Sequence, residues 1–226
     1  MQLKAAHIAL AVLMLSTSTS AASLQGEVGI RLLIVSNSVD MDAAIHLKEL
    51  LEDIGYWNVT IASAELYPEL ARLTKVDVVM ILGGPLAYEG VGRLSSTYLP
   101  TDALRELMKP GGLGYWIVEV VDDVLVYVII AGHTRVETRA AVDLYMREGV
   151  WETYLLVAAE LAQSATPELI TQLSRLGLHP MLSAEAVVIG KASLASIPKL
   201  AAHPAVVRVT PAIRHIVLVS ISEVIP

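Results

Sequence analysis

The sequence predicts an α/β protein in two parts: a small, mostly parallel, doubly wound sheet with a hairpin at one side, followed by an α+β module. Three observations carry this. Apolar runs that read as strands alternate with amphipathic segments through the first third of the chain, the pattern of a βαβαβ unit. Two further apolar runs then flank the pair Asp122-Asp123, which reads as a hairpin. Charge divides the chain as well: residues 23–150 hold 18 acidic against 10 basic side chains, and residues 151–226 hold five of each.

Taken in order, the chain opens with a signal-peptide pattern over residues 1–22. Lys4 supplies the positive start, Ile8 to Leu15 the apolar core, and Ser16 to Ser23 the small polar end, so export with cleavage after Ala21 or Ala22 is expected. No later stretch is a membrane span, because "YWIVEVVDDVLVYVIIAG" is interrupted by Glu119, Asp122 and Asp123. The expected domains are a Rossmann-like unit at 27–150 and a second module at 151–226.

In the first unit "IRLLIVSN" is a strand buried on both faces. The helix "VDMDAAIHLKELLEDIG" follows, with Asp40 as its cap and Gly55 as its stop. "WNVTIAS" is a strand, "AELYPELARLT" a short helix despite Pro68, and "VDVVMILGG" a third strand. A loop leads to the hairpin "GYWIVEVV" and "VLVYVIIAG". "HTRVETRAAVDLYMREG" closes the unit as a helix, opened by a Thr134–Glu137 capping box and stopped by Gly149. In the second module "WETYLLVAAEL" is a strand, and "TPELITQLSRLG" a helix with Thr166 as cap and Pro167 at its first position. "LHPMLSAEAVVIGKAS" is one or two strands around a bend. Leu194 to Ala202 is a helix with Leu194, Ile197, Leu200 and Ala201 as its stripe, and "AVVRVT" is the last strand. That order, βαββαβ, is ferredoxin-like.

Composition narrows the chemistry. There is no cysteine, so thiolate and disulfide chemistry is excluded, and no phenylalanine, so aliphatic residues fill the core. A net charge of −7 argues against nucleic acid. None of the six histidines stands in a zinc-ligand spacing, and no serine lies in a Gly-x-Ser-x-Gly elbow. No enzymatic activity and no cofactor are expected. Asp122 and Asp123 are too few carboxylates for calcium and read as a turn. The Gly83-Gly84-Pro85 turn sits where open sheets bind ligands, but it lacks a phosphate-loop pattern, and a tight turn permitted by two glycines is the plainer reading. His133 with Arg135 and Arg139 marks a possible anion site or a solvated helix face. Asn58-Val59-Thr60 is an N-glycosylation acceptor beside a strand.

Two resemblances add to this reading. "VVMILGGPLAYEG" followed by "IVEVVDDVLVYVIIAGHTRVETRAAVDLYM" resembles a module of archaeal surface-layer and related cell-surface proteins, over residues 30–146. This implies a cell-envelope role without catalysis. "ELITQLSRLGLHPMLSAEAVVIGKA" with "SLASIPKLAAHPAVVRVTP" resembles the propeptide of subtilisin-type proteases and its free-standing inhibitor relatives, over residues 151–211. That resemblance implies a sheet laid on the protease, with the following chain, Thr210, Pro211, Ala212, Ile213, Arg214 and His215, in the substrate groove.

The expected function is therefore non-enzymatic protein binding or assembly at the cell surface or outside the cell, including recognition of a subtilisin-type protease. A dedicated inhibitor or intramolecular-chaperone-like partner is one alternative. A small-ligand binder at a Gly83-Gly84-Pro85 crevice lined by His133 and Tyr88 is another. The expected partner is a protein, either a surface-layer component or a protease. Residues 216–224 could instead form an edge strand that pairs copies of the chain.

Overall fold

Apolar residues run without a break through Leu32–Val35, Val78–Leu82 and Val126–Gly132, and each of these runs is buried along its whole length. Strands of this kind need cover on both faces, and the fold provides it. The structure is a computed structural model that describes residues 26–119 and 126–212. The expected signal peptide, the Asp122-Asp123 turn, Ile213, Arg214, His215 and the 216–224 strand lie outside the described residues.

The elements are β1 (Glu27–Val28), β2 (Leu32–Val35), α1 (Met41–Asp53), β3 (Val59–Ala62), α2 (Tyr67–Thr74), β4 (Val78–Leu82), α3 (Val91–Tyr98), α4 (Thr101–Leu107), β5 (Leu113–Glu119), β6 (Val126–Gly132) and α5 (Arg135–Leu144). A π-helical turn at Tyr145–Gly149 and one helical turn, α6 (Val150–Glu152), lead to β7 (Tyr154–Leu161), α7 (Pro167–Arg175), β8 (Leu178–Ala184), β9 (Val187–Ser193), α8 (Ile197–Ala201) and β10 (Val206–Pro211).

The general α/β class holds, as two five-stranded mixed sheets. The first runs β3-β2-β4-β6-β5, with β5 antiparallel and the other four parallel. Alternation along its strands sends Leu32, Ile34, Met80 and Val128 to one face, where α1 and α5 supply Leu47, Leu51, Ala141 and Val142. Leu33, Val35, Val79, Ile81 and Ile129 take the other face, against Val91 of α3 and Ala103 and Leu107 of α4. The second sheet runs β1-β10-β7-β9-β8; its last four strands are antiparallel to one another, and β1 joins β10 in parallel. Leu169, Leu173, Ile197 and Leu200 of α7 and α8 join Leu155, Val157, Val188 and Val209 in its core. Burial of each such aliphatic side chain contributes about 1.5–3 kcal/mol.

The two sheets share that core. One continuous buried cluster runs from Ile34, Leu47 and Tyr145 to Leu155, Ile197 and Val209. The Tyr56 hydroxyl, fully buried, donates to the Leu194 carbonyl at 2.8 Å across the seam. The first described strand belongs to the second sheet: Glu27 and Val28 pair in parallel with Arg208 and Val209 before Leu32 starts the first sheet.

Several expectations need correction. The loop expected after Pro85 contains α3 and α4. Gly149 does not stop a helix, because helical backbone continues through it to Glu152. Trp151 and Glu152 are helical rather than the start of a strand. Asp40 occupies the N-cap position of α1, but its side chain makes no capping hydrogen bond. Pro68 falls in the first turn of α2, where a missing N–H costs nothing. Among the described residues no helix is long and apolar enough to cross a membrane.

Candidate functional site

In the first sheet β2 connects to β3 on one side, and the chain then crosses to place β4 on the other side of β2. Such a reversal leaves a crevice beyond the carboxyl ends of the two strands. A crevice of about 170 Å³ is present there, lined by Asn37, Asp40, Gly84, Pro85, Tyr88, Leu107, Gly132, His133, Thr134, Arg135 and Thr138.

Its floor depends on glycine. Gly83 has φ +128°, a region that L side chains rarely adopt, and a Cβ there would lie 2.8 Å from Ala87 Cβ and 3.3 Å from Asp40 Oδ2. The wall is the β2–α1 turn. Asn37 Oδ1 accepts from the Asp40 backbone N–H at 2.8 Å, and Asn37 Nδ2 donates to Asp40 Oδ2 at 2.9 Å. This reciprocal pair turns the Asp40 carboxylate away from the helix it would otherwise cap. Asp40 Oδ1 is left buried with no hydrogen-bond partner. The Thr138 hydroxyl, 3.1 Å from the Thr134 carbonyl, also lies close to the Asp40 carboxylate. Burial pushes the Asp40 pKa up, with the Asn37 and Thr138 side chains opposing the shift.

Across the mouth, the Ser38 N–H and hydroxyl both donate to the Glu89 carboxylate, tying the β2–α1 turn to the loop before α3. These bonds, the side-chain one first, hold the Glu89 carboxyl below its ordinary pKa. On the far wall His133 Nδ1 faces the Leu107 carbonyl at 3.0 Å. A carbonyl only accepts, so Nδ1 carries a proton and the neutral ring keeps Nε2 as an acceptor. The Thr134 N–H donates to Glu137 Oε2 at 2.9 Å, the backbone half of the expected capping box. The structure thus brings Gly84, Pro85, Tyr88 and His133 into one crevice, with Gly83 beneath it. Asn37 and Asp40 are the additions, and their signal is a polar Ser-Asn-Ser-Val-Asp turn directly after a buried strand.

The second candidate surface is the face of the second sheet opposite α7 and α8. Ala158, Ile189 and Ala212 form a small buried cluster on it, with Leu156 and Val187 half-buried against them. Towards the β8 margin the face opens: Tyr154, His179, Leu182 and Lys191 are exposed, and Leu182 keeps 57% of its surface. A shallow groove of about 390 Å³ continues from Tyr154 and Met181 to Ile117 and Glu119 on β5.

Thr210, Pro211 and Ala212, expected to face a protease groove, are buried within the sheet instead. Thr210 and Pro211 pair with Ala158 and Val157, and the Ala212 N–H donates to the Leu156 carbonyl at 2.9 Å. The satisfied backbone of these residues makes them part of the fold rather than a free tail.

A cleft of about 970 Å³ separates α1 from β1 and α8. Glu27, Glu49, Glu52 and Asp53 line it, but among the described residues no three His, Asp or Glu side chains are grouped to hold a metal. Asn58 opens onto this cleft. Its side chain is exposed just before β3, with Nδ2 3.5 Å from the Val28 carbonyl, so the glycosylation acceptor is accessible.

Fold and sites together define a two-sheet α/β protein with a switch-point crevice and a sheet face that carries no helix among the described residues. No family model, no curated protein and no solved structure matches the chain.

Proposed function

We propose that the chain is an exported, non-enzymatic cell-envelope protein that acts by binding another protein through the open margin of its second sheet. The observation that carries this reading is a sheet face that bears no helix among the described residues, where Tyr154, Met181 and Leu182 are exposed with Lys191 and His179. Exposed apolar groups ringed by polar ones mark contact surfaces on otherwise well-packed proteins. The margin favours face-on docking over strand addition. Pro180 lies in the edge strand β8, and the ladder shifts register between Pro180 and Leu182, leaving Met181 as a bulge; both features blunt an edge.

The order of β7, α7, β8, β9, α8 and β10, with the strands lying β10-β7-β9-β8, supports a ferredoxin-like reading of this half. The propeptide resemblance then points to a subtilisin-type protease as the partner. The buried Thr210–Ala212 segment shifts the weight from a groove-filling tail to the face itself.

The test is a titration of the full chain into a subtilisin-type protease, comparing wild type with Leu182→Asp. Saturable inhibition weakened at least ten-fold by L182D supports the reading. Digestion of the chain without inhibition removes the protease. Self-association sensitive to L182D in sedimentation would then favour assembly between copies.

A further inference from the structure

We infer that the switch-point crevice of the first sheet binds a small zwitterion of the α-amino-acid class, with its ammonium group on Asp40 and its carboxylate towards Arg135 and the first turn of α5. Nothing in this depends on the protein-binding reading.

The cationic end follows from Asp40. Its side chain lines the crevice, the residue is 6% exposed, and Oδ1 has no partner while Oδ2 is held by Asn37. A buried acceptor left unmade costs free energy that a donor from a ligand would recover. His133, whose free ring nitrogen accepts, lines the same space, so two acceptors call for a ligand rich in N–H.

The anionic end follows from the opposite rim. Arg135 lines the crevice and begins α5, a ten-residue helix whose amino end carries partial positive charge. Arg135 and Arg139 also line the adjoining hollow between α1 and α5. One small volume is therefore lined by the Asp40 carboxylate and by Arg135 at the amino end of α5, where the Glu137 carboxylate already takes the Thr134 N–H and the Glu89 carboxylate across the mouth is held by Ser38.

Size points to a small ligand. Liquid water occupies about 30 Å³ per molecule, so a crevice of about 170 Å³ takes a ligand of some five or six heavy atoms, roughly glycine or alanine. Gly84 keeps this space open: a Cβ there would stand 3.1 Å from the Gly132 carbonyl and 3.9 Å from Leu107 Cδ1.

The experiment is calorimetric titration of the full chain with glycine, L-alanine and L-serine, beside acetate and methylammonium as single-ended probes. Wild type should bind at least one of the amino acids at a single saturable site, and each single-ended probe at least ten-fold more weakly. Asp40→Asn should abolish binding, and the exposed Arg135→Ala should weaken it at least five-fold without touching the core. No binding of any amino acid, binding of acetate or methylammonium as tight as theirs, or binding that survives in both D40N and R135A would each overturn the proposal.

Discussion

A methyl group at residue 149 has nowhere to go. A Cβ built on Gly149 would lie 2.2 Å from Tyr145 Cδ2 and 3.0 Å from Tyr115 Cε2. Tyr145 is fully buried, and it can only donate to Thr153 Oγ1 at 3.2 Å, because the Thr153 hydroxyl proton goes to the Gly149 carbonyl at 2.8 Å. Ring and backbone are thus locked together, and Gly149→Ala should cost about 1–3 kcal/mol by overpacking, measurable by urea unfolding. Asp40 makes the opposite case, a native residue that costs stability. Its folded pKa is raised, so between the ordinary carboxylate value and that raised value the native state binds more protons than the unfolded one. Stability must therefore fall as pH rises through this window. His133, Tyr88, Arg135, Arg139 and Asp42 line the hollows around Asp40, and Glu89 stands across the mouth on Ser38. Subtracting the D40N profile isolates the aspartate. The stability advantage of D40N should grow across the window and level off above it; a constant difference would assign the effect to another group.

Element by element, what could be read in advance was what the chain states locally. Ile197, Leu200 and Ala201 of α8 are buried as their spacing requires, although the helix begins at Ile197 and leaves Leu194, also buried, in the turn before it. Thr166 caps α7 by accepting from the Leu169 N–H at 3.3 Å. Removal of that acceptor in Thr166→Ala should cost about 1 kcal/mol, and Thr166→Asp should recover most of it; equal unfolding midpoints for both variants would show that the cap contributes nothing. The elements that escaped are those whose cause is distant. In α3 the small polar residues Gly92, Ser95, Ser96 and Thr97 are weak helix formers. They are held by contacts local sequence does not announce, such as the buried Ser95 hydroxyl 3.2 Å from the Gly84 carbonyl. β1 is two residues long and owes its existence to β10, some 180 positions along the chain. The crevice was half legible for the same reason. Gly83-Gly84 after an apolar run marks a strand end, whereas an Asp before a helix reads as a cap until Asn37 is seen to turn it inward.

At the scale of the molecule, the charge step at residue 150 suggests two separable parts, and the packing joins them. The described residues begin and end in the second sheet, so the first sheet is spliced between β1 and β7. Gly26 could not be another residue at this junction, since its Cβ would sit 2.6 Å from the Val206 carbonyl and 2.7 Å from that of Ala201. The buried cluster passes without interruption from α1 and α5 to α8 and β7. Separating the halves would expose Tyr56, Tyr145, Leu155 and Ile197 to water and strip the Leu194 carbonyl of its Tyr56 donor. At about 25 cal/mol per Å² of apolar area, such exposure rivals the whole stability of a small domain. Unfolding should therefore be one cooperative transition monitored by any probe. Tyr56→Phe should lower its midpoint by the equivalent of about 1–2 kcal/mol, the cost of a buried carbonyl left unpaired, without splitting it. A fragment of residues 151–226 lacks β1 and half the shared core, and should show no sigmoidal urea transition. Cooperative unfolding of that fragment, or two resolved transitions in the full chain, would mean that the seam is an interface between independent domains.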